Sequence, residues 1–188
     1  MTGSTPQGAA GRQGGFRTSW LAGAAVVVAV GVGVTGCATT QTPQGSSQSA
    51  APAATAEAFT AQTAAGAQVS VPGSKPSVLF FFSVECGACG PFTKLLAEVQ
   101  LSAPDAANYV AVDVASYETA PDVEAFLAQN QASSLAYAID TNTRLISAYQ
   151  VNQLSTAVVL DASGTEVFRG VEPSVAQIRD ALTKAGAR

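Results

Sequence analysis

This chain of 188 residues has no histidine, a single methionine at its first position, and only three cysteines. Each scarcity removes a class of chemistry. A structural zinc site needs about four nitrogen or sulfur ligands, and three cysteines without histidine cannot complete one. Copper delivery loses its usual imidazole and thioether ligands. Haem attachment through a C-x-x-C pair needs histidine directly after the second cysteine, and position 90 is Gly. No Pro-x-x-x-Thr-x-x-Cys pattern surrounds any cysteine, which argues against a peroxidase. Charge is also sparse, at 12% of residues against 47% hydrophobic. All 13 acids lie after Cys37, with seven of the nine bases, so residues 37–188 carry a net charge of −6. Nucleic-acid binding wants the opposite, a basic patch.

What the chain does have is Cys86-Gly87-Ala88-Cys89 in an informative setting. The apolar run Val78-Leu79-Phe80-Phe81-Phe82 precedes it, and the helical spacing Phe92, Leu95, Leu96, Val99 follows. The pair is therefore expected at a strand-to-helix junction, with Cys86 at the helix N-terminus. Unpaired N–H groups and the helix dipole there favour an anion, hence a thiolate. Cysteines so placed have pKa values of roughly 3.5–7.5, against about 8.5 for a free thiol. The thiolate is the species that attacks disulfides. Cys86 is expected to be the attacking thiol, and Cys89, one turn in, the resolving one. Half of a metal site, or two inert buried cysteines, are the competing readings of the motif.

The N-terminus carries an address. Residues 1–19 contain Arg12 and Arg17 and no acid, and Trp20 to Val34 is an apolar run rich in Gly, Ala and Val. A basic start, a short apolar core and small residues before a break describe a secretory signal over residues 1–36. The run is shorter than the ~20 residues that span a membrane as a helix. Val34-Thr35-Gly36-Cys37 resembles a bacterial lipobox, which implies lipidation at Cys37 and attachment to the outer face of the cell membrane. Residues 37–68 are mostly Ala, Thr, Gln, Ser, Gly and Pro and are expected to form a flexible tether. Ala53–Ala65 has the propensity for a transient helix.

Residues 69–188 alternate strand and helix signals. Strands are expected at Val78–Ser83, Tyr109–Val114, Leu135–Ile139, Thr156–Leu160 and Thr165–Arg169. Helices are expected at Ala88–Leu101, after Pro121, after Asp140 as a cap, and after the capping box of Ser174 with Gln177. The sum is an α/β domain of about 120 residues, large enough for its own core.

Phe81-Phe82-Ser83-Val84-Glu85-Cys86-Gly87-Ala88-Cys89 resembles the active-site strand and helix of thioredoxins. Asp140 to Tyr149, then Val151 to Thr156, then Val158 to Gly164, resembles the second half of the membrane-anchored TlpA-type branch. The resemblance implies a thioredoxin-like fold, a central mixed sheet flanked by helices on both faces. It also implies thiol–disulfide oxidoreductase activity outside the cytoplasm, with no cofactor and no metal.

Three departures from that pattern bear on mechanism. The family's cis-proline falls at Ser155, just before Thr156, and Glu85 replaces the tryptophan that usually precedes the first cysteine. Ser155, Thr156 and Glu85 are the expected substrate-contacting residues. Phe80 occupies the place of a buried aspartate found in many thioredoxins, so no carboxylate there can relay a proton from Cys89. With no cation in Gly87-Ala88 and Glu85 adjacent, the pair is expected to act as a reductant. Its partners would be exported cysteine-containing proteins and a membrane thiol donor. A disulfide-forming oxidant with the same residues, or a soft-metal carrier, are the alternatives.

Overall fold

The structure, a computed structural model, describes residues 56–188. The expected signal sequence and Cys37 lie outside the described residues. One seven-stranded sheet organises the rest. Its strands are β1 (Phe59–Gln62), β2 (Gln68–Val71), β3 (Ser77–Phe82), β4 (Asn108–Asp113), β5 (Ala136–Ile139), β6 (Thr156–Leu160) and β7 (Glu166–Val171). Their spatial order is β2-β1-β5-β4-β3-β6-β7. The helices are α1 (Cys89–Ser102), α2 (Ala120–Gln129), α3 (Arg144–Ala148) and α4 (Val175–Lys184).

Strand β3 lies at the centre, parallel to β4 and antiparallel to β6. All six of its residues are buried, which is why its sequence is an unbroken apolar run rather than an alternation. Its side chains divide between two cores. Val78, Phe80 and Phe82 face α1, α2 and α4, joining Phe92, Leu96, Val123, Leu127, Ile178 and Leu182. Leu79 and Phe81 face the other way, toward Leu145 and Tyr149 around α3. Burying each such side chain contributes roughly 1.5–3 kcal/mol before entropy is counted. Phe80 leans on Phe92 of α1 with ring centroids 4.6 Å apart, and Phe82 stacks on Phe126 of α2 at 5.0 Å. The first contact fixes the start of α1 against β3, and the second fixes α2 against its end. Gly90 permits the close approach of α1 to the C-terminus of α2, since a Cβ there would stand 2.5 Å from Asn130 Oδ1.

The strands and helices expected after position 77 all form, with ends shifted by one or two residues. Asp140 caps α3 from a distance, accepting the N–H groups of Leu145 and Ile146 at 3.0 and 2.8 Å. Ser174 and Gln177 form the reciprocal capping box at α4.

Part of the stretch expected to be a tether is folded. Residues 59–62 form β1 and pair with β2 as a hairpin, so the folded domain begins ahead of position 69. The hairpin closes through Gly66 at φ 81°, a conformation that only glycine adopts without strain, with Thr63 N–H bonded to Ala67 O. Gln62 pairs with Tyr137 of β5, and Ala61 and Val71 are buried. Helix propensity favoured a helix over residues 53–65, but over the described part of that range sheet pairing prevails because it buries these side chains. Among the described residues, no helix is long and apolar enough to cross a membrane.

Candidate active site

Strand β3 ends at Phe82, and the chain turns through Ser83, Val84 and Glu85 into Cys86. Two backbone bonds shape the turn: Cys86 N–H to Ser83 O, and Cys89 N–H to Cys86 O, both 3.0 Å. Helix α1 begins at Cys89, so Cys86 sits three residues ahead of the first helical residue rather than on it. The two cysteines are joined as a disulfide with Cα atoms 5.4 Å apart. Cys89 is fully buried, whereas Cys86 is partly exposed. Cys86 Sγ is thus the sulfur open to an incoming thiolate, and Cys89 Sγ the one that would leave.

Ser155 meets this disulfide at Cys89. It stands in the loop before β6, 2% exposed, with its Oγ 3.2 Å from Cys89 Sγ. A disulfide sulfur carries no hydrogen, so the hydroxyl is the donor. The Ser155 backbone is held at both ends: its N–H donates to Phe81 O at 3.0 Å, and its C=O accepts from Glu172 N–H at 2.9 Å. Its φ is +60°, unusual for a residue with a side chain. Among the described residues the only cis peptide is Val71–Pro72, so the Leu154–Ser155 bond is trans.

Thr156 is also buried, and its hydroxyl donates to Gln153 O at 2.7 Å. Its backbone belongs to the ladders with Phe81 and Val171. Of the three residues expected to contact substrate, only Glu85 is exposed. Its N–H donates to Ser83 Oγ, and its carboxylate accepts from Tyr117 OH at 2.9 Å. That bond holds the Tyr117 phenol above its ordinary pKa.

Sequence reasoning missed a buried acid pair beneath this loop. Glu118, 7% exposed, accepts from the Ser83 hydroxyl at 2.7 Å and from Val84 N–H at 2.9 Å. Asp113, at the end of β4, is fully buried beside it. Asp113 Oδ1 accepts Ala115 N–H, while Oδ2 has no protein partner. Burial pushes the Asp113 carboxyl up to about 7, with Ala115 opposing and Glu118 and Asp122 reinforcing. Phe80 does leave the site without a carboxylate on β3, but a neighbouring strand and the loop after it supply two. The signal was faint: Asp113 closes an alternating strand, and only the register Phe82 opposite Asp113 places it beside the cysteine loop.

An open groove of about 490 Å³ adjoins the disulfide at Ala88. Pro91, Phe92 and Leu95 of α1 form one wall, and Glu172, Pro173 and Gln177 the other. Chemically, the arrangement offers one accessible sulfur, one shielded sulfur with a hydroxyl donor, and an apolar channel alongside.

Comparison with known proteins agrees with this geometry. The family described as Thioredoxin-like matches residues 73–166. A Streptomyces lividans protein named "Mercury resistance operon ORF3" is 41% identical over 138 residues, covering 72% of this chain and 73% of that protein. Among solved structures, StoA from Bacillus subtilis superposes with a TM-score of 0.58 at 21% identity, over 69% of this chain and 98% of its own. A secreted Mycobacterium tuberculosis disulfide oxidoreductase homologous to E. coli DsbE superposes with a TM-score of 0.55 at 21% identity, over 67% of this chain and 95% of its own. With this sheet order, a cysteine pair at the β3–α1 junction and these matches, the chain belongs to the thioredoxin-like family.

Proposed function

We propose that this protein is an extracytoplasmic thiol–disulfide oxidoreductase that reduces disulfides in exported proteins. The observation that carries the reading is the asymmetry of the pair: Cys86 is partly exposed and Cys89 fully buried. An external sulfur can reach only Cys86, so a mixed disulfide forms there and Cys89 resolves it. The reducing direction is supported by what surrounds the loop. The loop bonds to Glu118 and itself carries Glu85, and among the described residues no lysine or arginine bonds to residues 83–89. Strong oxidants owe their potential to a stabilised reduced form, and acidic surroundings disfavour a thiolate. Lipidation at Cys37 would hold the domain at the outer face of the cell membrane, where a membrane thiol donor would keep it reduced.

The test is trapping. A Cys89→Ser variant should accumulate mixed disulfides between Cys86 and exported proteins, and Cys86→Ser should abolish turnover. Limited alkylation of the reduced protein should label Cys86 well before Cys89. A reduction potential as oxidising as that of disulfide-forming enzymes would reverse the proposed direction.

A second reading has its own support. The relative from Streptomyces lividans is named for a mercury resistance operon, and a reduced dithiol is a soft-metal ligand pair. In that reading Cys86 and Cys89 would carry a soft metal ion as cargo. Stoichiometric Hg²⁺ uptake by the reduced protein, without turnover of protein disulfides, would favour it.

A further inference from the structure

We propose that Ser155 is a catalytic residue: its hydroxyl donates to Cys89 Sγ and stabilises that sulfur as it becomes the leaving thiolate. The inference rests on the Cys86–Cys89 pair being an exchanging dithiol, and it assigns the protein's answer to a specific problem. Cys89 has no solvent to receive its developing charge, since it is fully buried. Helix α1 begins at Cys89 itself, so its dipole also favours an anion there, but no side-chain cap adds to it. Among the described residues, the one side chain hydrogen-bonded to Cys89 Sγ is Ser155, at 3.2 Å, itself 2% exposed.

The placement is fixed rather than fortuitous. Ser155 N–H is tied to Phe81 O on the strand that leads to the cysteines, and Ser155 O is tied to Glu172 N–H. The φ of +60° is maintained by both anchors. Non-glycine residues held in this region are uncommon, and such positions cluster at functional sites. Here the conformation delivers a polar atom onto a reacting sulfur.

The step balances as follows. An external thiolate attacks Cys86 Sγ, a new S–S bond forms there, and the Cys86–Cys89 bond breaks. The bonding electron pair leaves on Cys89 Sγ. Ser155 strengthens its hydrogen bond as negative charge develops, without giving up its proton. A second thiolate then attacks the external sulfur of the mixed disulfide, forming an external disulfide and releasing Cys86 as thiolate. Both cysteines end reduced and the external thiols end oxidised. In the reverse direction the same hydroxyl steadies the Cys89 thiolate before it attacks the mixed disulfide.

The experiment uses the oxidised protein and dithiothreitol as the attacking thiol. Ser155→Ala should slow reduction of the Cys86–Cys89 disulfide roughly tenfold, near the lower end of what a hydrogen bond to a charged group supports. A second pair of proteins separates leaving-group chemistry from structure. With Cys89→Ala and Cys86 held as a mixed disulfide with glutathione, Cys89 no longer leaves. Adding Ser155→Ala there should leave the dithiothreitol rate unchanged. Equal slowing in both backgrounds, or slowing in neither, overturns the proposal. If Ser155→Ala does not fold, Ser155→Gly, which accepts a positive φ, takes its place with the same expected pattern. Failure of the wild type to turn over protein disulfides would refute the proposed function. It would leave this comparison intact, because only the protein's own disulfide and small thiols are involved.

Discussion

The Ser83 hydroxyl donates to Glu118 Oε1 at 2.7 Å, joining the cysteine loop to a residue 35 positions later in the chain. The second oxygen of the same carboxylate takes Val84 N–H at 2.9 Å. One buried side chain thus fixes the two residues that follow β3 and sets the path into Cys86.

Glu118→Gln tests that clamp. The amide retains an acceptor for one donor but presents its NH₂ group to the other. A buried donor left unpaired costs about 1–3 kcal/mol. For a domain of this size each kcal/mol lowers the melting temperature by roughly 3–6 °C. Melting of the oxidised variant should therefore fall by several degrees, and Glu118→Ala should fall further. Unchanged melting in both variants would show that the loop is held by the Phe80 and Phe82 contacts alone.

Asp113 gives the stability a definite pH dependence. Burial first, then Glu118, hold its carboxyl up to about 7. An unfolded aspartate releases its proton near pH 3.9. Between about pH 4 and 7 the folded chain therefore keeps a proton that the unfolded chain has lost. The native state binds more protons, so stability from this group falls as pH rises through that window, by up to about 1.4 kcal/mol per unit. The contribution is complete below about pH 4 and gone above about pH 7. Asp113→Asn removes the titration and keeps an acceptor for Ala115 N–H. Relative to wild type, the variant should be more stable at about pH 8 than at about pH 5. A melting difference that stays constant across that range would contradict the assignment.

The hairpin contribution is open to deletion. Beyond the pairing of β1 with β2 and β5, Tyr149 OH donates to Glu57 O at 3.0 Å and Arg144 pairs with Glu57 at 2.8 Å. The ion pair is half-exposed and contributes little. The buried Ala61 and Val71, and Tyr149 in the core around α3, matter more. A chain starting at residue 69 should melt well below one starting at residue 56, by urea or heat. Equal stability would mean that residues 56–68 add nothing to the folded domain.

What was legible in the sequence had a local cause. The apolar run of β3, the Asp140 cap and the Ser174–Gln177 box each declare themselves within a few residues. The β1–β2 hairpin did not, because Phe59–Val71 is rich in Ala, Thr and Gln and buries few large side chains. The acid pair was hidden for a different reason. Asp113 and Glu118 acquire meaning only when β4 is laid beside β3, a relationship set by register and not by spacing. Ser155 was marked by comparison with the family's proline, yet its role changed once its burial against Cys89 was visible.

Ser155→Pro draws these relationships together. The family's residue at this place is proline, and substitution by resemblance would look conservative. The geometry argues otherwise. Proline fixes φ near −65°, whereas Ser155 sits at +60°. Proline also removes the N–H that reaches Phe81 O, leaving a buried acceptor at the end of the central strand without that donor. Losing a hydrogen bond while displacing the backbone is expected to cost on the order of 3 kcal/mol or more. The loop must move, and Glu172, bonded to Ser155 O, must move with it. The hydroxyl against Cys89 is lost as well. Ser155→Pro should therefore melt far below wild type and below Ser155→Ala, and its disulfide should react with dithiothreitol at an altered rate. Calorimetry of the three oxidised proteins orders them directly. Melting of the proline variant at or above wild type would mean that the loop accepts the family's backbone without strain, and the conformation assigned to Ser155 would be wrong.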